Sequence, residues 1–127
     1  FFFFFLQDRH CPMLDRAYSA LIDALSDRGM LDDTLLIAMG EFGRTPKISN
    51  RAAREHHKDC YFSIWAGGGI EPGRVIGESD AKAEHPITRP ITPLQVGTTI
   101  AELCGIGARK RAEMKVLDGG SVIHELI

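Results

Sequence analysis

Leu35-Leu36-Ile37-Ala38-Met39-Gly40-Glu41-Phe42-Gly43-Arg44-Thr45-Pro46 joins an unbroken apolar run to a polar segment punctuated by glycines. A short run that is apolar at every position, rather than at alternate ones, suits a strand covered on both faces. That is the usual condition of a strand in a mostly parallel sheet. In such sheets ligands gather beyond the carboxyl ends of the strands, so Gly40 to Pro46 begins where a ligand would sit. A carboxylate at Glu41 can hold a divalent metal, and the guanidinium of Arg44 can fork onto a phosphate or sulfate. A plain salt bridge between Glu41 and Arg44 satisfies the same spacing.

Working outward, the segment before this run places Leu14, Ala17, Tyr18, Leu21 and Leu25 three or four residues apart. This is one face of an amphipathic helix, with Pro12 in its first turn and Gly29 just past its end. Asp32-Asp33-Thr34 reads as the turn into the strand. A second apolar run, CYFSIWAGGG from Cys60 to Gly69, reads as another strand, and the Glu41–Asp59 interval as a long polar loop. Pro72-Gly73 is a turn, RVIG a short edge strand, and Glu78 to Pro90 irregular. Thr92 and Pro93 mark the N-cap and first position of a second helix that stops near Gly105. Asp118-Gly119-Gly120 turns the chain into a short apolar end. Helices and strands in this order give an α/β fold.

A second polar cluster precedes the second strand. Glu55, His56, His57 and Asp59 offer four metal-binding groups within five positions. Neighbouring side chains on a strand point to opposite faces, so His56 and His57 cannot both reach one ion from a regular strand. The alternative is a solvated polar loop. Thr45 and Asn50 would orient a ligand or stabilise turns. The glycines of Ala66–Gly69 allow close approach of a ligand, but no GxxxxGK[ST] phosphate loop is present.

Composition narrows the classes. A net charge of -2 over 127 residues gives no basic excess for nucleic acid. No stretch approaches the roughly 20 apolar residues of a membrane-spanning helix. Cys11, Cys60 and Cys104 are too few and too far apart for a disulfide framework or a zinc-cysteine module. Phe1 to Phe5, a run of five phenylalanines, read as a truncated or mistranslated gene end. Residues 1–10 are set apart as a poorly defined start.

The succession LDRAYSALIDALSDRGMLDDTLLIAMGEFGRTPKIS, AREHH, AGGGIEPGRVIGESD, RPITPLQVGTTIAELCGI and LDGGSVIHELI resembles the C-terminal part of the family catalogued as domain of unknown function 1501. The resemblance runs from about Pro12 to Ile127. Its members look like distant relatives of alkaline phosphatases and sulfatases. What it implies is that residues 11–127 are the C-terminal part of one alkaline-phosphatase-like domain, a parallel sheet covered by helices. It further implies one or two divalent metals (Zn, Ca or Mg), hydrolysis of phosphate or sulfate esters, and export to the periplasm or beyond the cell.

Carried over by position, the resemblance makes Glu41 and His56 metal ligands; Arg44, as a guanidinium, and Asn50, as a ligand-orienting amide, are the expected substrate-binding residues. Five positions depart from the pattern. Glu41 and Phe42 stand where relatives carry an aspartate and a histidine, and Glu55 where aspartate is usual. His57 replaces a tryptophan, and Ala53 a glycine. The loss of an imidazole at Phe42 counts against a two-metal centre. The expected function is therefore a fragment of a metal-dependent ester hydrolase, inactive by itself, acting on a small anionic ester or a sulfated or phosphorylated polymer. The alternatives are a non-catalytic exported binding protein on the same fold, and a free-standing small domain.

Overall fold

The computed structural model describes residues 6–50 and 53–127, so the phenylalanine run lies outside the described residues. A turn of π-helix, Leu6–His10, leads into α1, Cys11–Asp27. Pro12 lies in the first turn of α1. The helix ends as its sequence expects: Gly29 takes φ 64°, and the Met30 N–H returns to the Leu25 carbonyl at 2.8 Å. A short 3-10 turn, Leu31–Asp33, then delivers β1, Leu36–Met39.

The second apolar run becomes β4, Ser63–Ala66, and it pairs directly with β1. The register sets Leu36 against Ala66 and Met39 against Ser63, and the two strands run antiparallel. The mixed α/β class therefore stands, while the parallel arrangement expected for these runs does not hold between them. The connection explains the difference. Parallel neighbours need a crossover, usually a helix, whereas the chain between β1 and β4 doubles back on itself and returns on the same edge.

That doubled segment corrects a second expectation, the long polar loop. It contains β2, Gly43–Arg44, antiparallel to β3, His56–His57. Beyond the strands the ribbon continues: the Thr45 N–H donates to the Glu55 carbonyl at 3.0 Å, and the Ser49 N–H to the Ala53 carbonyl at 2.8 Å. The Arg54 guanidinium clamps it, donating to the carbonyls of Thr45 at 2.7 Å and Pro46 at 2.5 Å.

At the end of β4 the glycine run serves packing. Gly67 has φ 66°, and a Cβ there would strike the carbonyl oxygens of Leu31 and Thr34. The Gly68 N–H donates to the Leu31 carbonyl at 3.0 Å. Glycine is what lets β4 close against the turn that starts β1.

The expected edge strand at RVIG does not form. Among the described residues Arg74–Gly77 has no strand partner, and Val75 is 96% exposed. Next comes α2, Pro93–Leu103, opened by a capping box in which Thr92 and Gln95 each receive the other's backbone N–H. A further helix that the sequence pattern did not disclose, α3 at Ala108–Met114, follows directly. Arg111 in α3 is buried, paired with Glu102 of α2 at 2.5 Å and donating to the Ile106 carbonyl at 2.7 Å.

Burial concentrates at this end. Thr98 and Thr99 of α2 are fully buried beneath Ile123, whose N–H donates to Thr99 Oγ1 at 2.9 Å. By contrast α1 buries none of its residues; Met13, Leu14 and Leu21 are exposed. The accessible surface is 9683 Å², against about 6,700 Å² for a compact chain of this mass.

Candidate functional site

The β2–β3 ribbon sorts its side chains by strand alternation. Arg44 stands opposite His56, and Gly43 opposite His57. The two histidines part as a strand requires. On one face the His56 ring stacks against Phe42, with centroids 3.7 Å apart and planes inclined by 31°. The Arg44 guanidinium carbon lies 5.3 Å from the centroid of the same Phe42 ring, within cation–π range. Arg44 Nη1 also donates to the Arg54 carbonyl at 3.3 Å, which steadies it along the ribbon and leaves most of its N–H donors available. Glu41 sits in the bend before β2, exposed. It has neither an ion pair nor a hydrogen bond among the described residues, so the Glu41–Arg44 salt bridge does not form.

Gly43 explains why the ribbon can close. A Cβ at this position would collide with the Cys60 carbonyl oxygen and press on that of His57. Only glycine lets β2 lie this near the chain leaving β3. The GEFGR pattern therefore reflects close packing at its second glycine.

The other face of the ribbon carries a docked loop. His57 Nε2 lies 2.9 Å from the Glu84 carbonyl oxygen, and His85 Nδ1 lies 3.9 Å from a carboxylate oxygen of Asp59. The loop is organised by Asp80. One of its carboxylate oxygens accepts the N–H groups of Lys82 at 3.0 Å and Glu84 at 2.9 Å, and the other accepts that of His85 at 3.1 Å. These bonds, Glu84 foremost, hold the Asp80 carboxyl below its usual range despite some desolvation. The hydrogen bond from Lys58 does the same for Asp59. Desolvation, with Asp80 and Asp59 nearby, pushes the Cys60 thiol up.

The sequence-expected site residues thus divide. Arg44 and His56 come together, and Phe42 joins them. Asn50 lies at the far end of the ribbon, in the turn past the Arg54 clamp. Among the described residues, no three His, Cys, Asp or Glu side chains converge as a metal centre requires. The His56 ring is packed on Phe42, and Glu41 stands apart from both in the bend before β2. Sequence reasoning registered Phe42 only as a lost imidazole. The period-two spacing of Phe42 and Arg44 hinted at a shared face, but the partner across the ribbon depends on a register that spacing alone does not supply.

Fold and site together define a mixed α/β protein with an aromatic–cationic face on a short ribbon. The family comparison agrees with the order of motifs: residues 6–127 match the family described as "Protein of unknown function (DUF1501)", and the chain belongs to it. No curated protein and no solved structure matches the chain.

Proposed function

We propose that the Phe42–Arg44–His56 face binds the anionic group of a phosphate or sulfate ester, as part of a protein related to the alkaline phosphatases and sulfatases. The observation that carries this reading is the cross-ribbon pairing of Arg44 with His56, each in contact with the Phe42 ring. A guanidinium offers a planar fork matched to phosphate or sulfate oxygens. Across the ribbon an imidazole N–H adds a second donor, and a second positive charge when protonated. Phe42 holds both groups in place and offers an apolar rim for the organic part of the ester. The test is a titration of the chain with inorganic sulfate, phosphate and p-nitrophenyl phosphate, followed by NMR. Saturable shifts at Phe42, Arg44 and His56, weakened by Arg44→Ala, support the reading. Unchanged affinity in Arg44→Ala sinks it.

A second reading keeps the metal-dependent hydrolase, with Glu41 and His56 as two ligands and the remaining ligands and nucleophile supplied by polypeptide outside these residues. The exposed, unpartnered carboxylate of Glu41 beside Phe42 favours it. Metal content of the protein isolated from its source decides this reading. A stoichiometric divalent ion lost in both Glu41→Ala and His56→Ala supports it, and no bound ion rejects it. An exported binding protein is the reading left standing in that case.

A further inference from the structure

Away from the ribbon, an open groove of about 430 Å³ lies between the Arg74–Gly77 segment and the Thr88–Ile91 segment, with Glu125 in its lining. That volume falls in the range of small-molecule sites. We propose that this groove binds a small monovalent organic anion, a carboxylate with an apolar body, between Arg74 and Arg89.

Three features support the assignment. The first is unspent donor capacity. Arg89 gives one N–H to Glu125 Oε1 at 2.9 Å, and Arg74 makes two contacts, to the Glu125 carbonyl and to Glu71, both at 3.4 Å. A guanidinium has five N–H donors, so both side chains, each about half exposed, retain donors for a ligand. The second is charge. Two guanidiniums and one carboxylate line the groove, and the Glu71 carboxylate lies 3.4 Å from Arg74 beyond the lining. Its own backbone N–H first, and then Arg89, hold the Glu125 carboxyl below its usual range, so that residue stays ionised. A monoanion can share the two guanidiniums with these carboxylates, whereas a dianion meets stronger repulsion from both Glu71 and Glu125. The third is the apolar wall. Val75, Ile76 and Ile91 line the same groove, and Val75 is 96% exposed with nothing packed on it. An apolar body laid against Val75 would remove that surface from water.

The experiment is an NMR titration of the full chain with hexanoate, with hexanol and inorganic phosphate as parallel arms. Saturable shifts at Arg74, Val75 and Thr88 with hexanoate are expected. Arg89→Gln should weaken binding about tenfold, the scale of one lost charge-assisted bond. Val75→Ser should weaken it severalfold while leaving the fold intact, so a folding defect in the arginine variant does not remove the test. Equal binding of hexanol, phosphate binding as tight as hexanoate, no saturation, or unchanged affinity in both variants overturns the proposal.

Discussion

The ring of Phe42 stacks on that of His56 at 3.7 Å, occupying the position at which the resemblance places a second imidazole. One substitution converts this relationship into a test of the site's ancestry. Phe42→His would place a further donor beside His56 and near Glu41. If these positions retain the geometry of a metal site, zinc affinity measured by calorimetry should rise at least about tenfold. No gain in affinity would mean that Glu41 and His56 do not share an ion even when a third ligand is offered.

Gly43→Ala should damage the ribbon while leaving the helices intact. The added methyl group meets the Cys60 carbonyl oxygen, which belongs to backbone and cannot swing aside. A loss of about 2–3 kcal/mol is expected, the usual scale for overpacking at a close backbone approach. Urea denaturation measures the loss, and NMR shifts confined to the ribbon and the 57–60 segment would locate it. An unchanged midpoint would contradict the packing described here.

Acid should loosen the loop docked on the other face. The Asp80 carboxyl is held below its ordinary value of 3.8 by N–H bonds formed only in the folded loop. A group depressed in the folded state contributes stability above its unfolded pKa, and that contribution is lost as pH falls through the folded value. Loop protection should therefore be constant near neutrality and fall below about pH 4. Hydrogen exchange of the Lys82, Glu84 and His85 amides follows it. Asp80→Asn should show the weakened protection at every pH, and an acid response persisting in that variant would assign the titration elsewhere.

Leu14→Lys in α1 should cost almost nothing in stability. Core leucines removed from their packing cost 2–5 kcal/mol, but Leu14 is exposed and α1 buries no residue. A change within about 0.5 kcal/mol is expected by denaturation. The same substitution should reduce binding of an apolar dye, because it places a charge in the uncovered stripe. A loss of 2 kcal/mol or more would show that the stripe is packed in solution.

At the other end of the molecule, Arg111→Ala should be costly. It leaves Glu102 without its partner and the Ile106 carbonyl without a donor. The expected loss is about 2 kcal/mol, below the range for fully buried pairs because the Glu102 side chain is 40% exposed. Thermal unfolding checks it, and a variant as stable as the parent would remove Arg111 from the small core.

How much of this was legible in the residues follows from the range of each interaction. The limits of α1 were readable because Pro12, the three-to-four spacing and Gly29 act within one or two turns. Thr92 and Pro93 announced α2 for the same reason. The short α3 was hidden: Ala108–Met114 has little apolar periodicity, and its hold on the fold comes from buried Arg111, whose partner lies in another helix. Val75 and Ile76 have strand-like composition, yet no neighbour supplies a ladder, so composition alone gave the wrong element.

By itself the sequence determined α1, α2 and the two apolar runs that become β1 and β4, because propensities, caps and turns are local. It also limited the candidate chemistry to the residues around Glu41–Arg44 and Glu55–Asp59. Tertiary structure decided the direction in which β1 and β4 pair, the face on which each histidine lies, and the meeting of Phe42, Arg44 and His56. Each of these depends on register between segments distant in the chain. A shift of one residue would exchange the two faces of the ribbon and send His57, instead of His56, to Phe42.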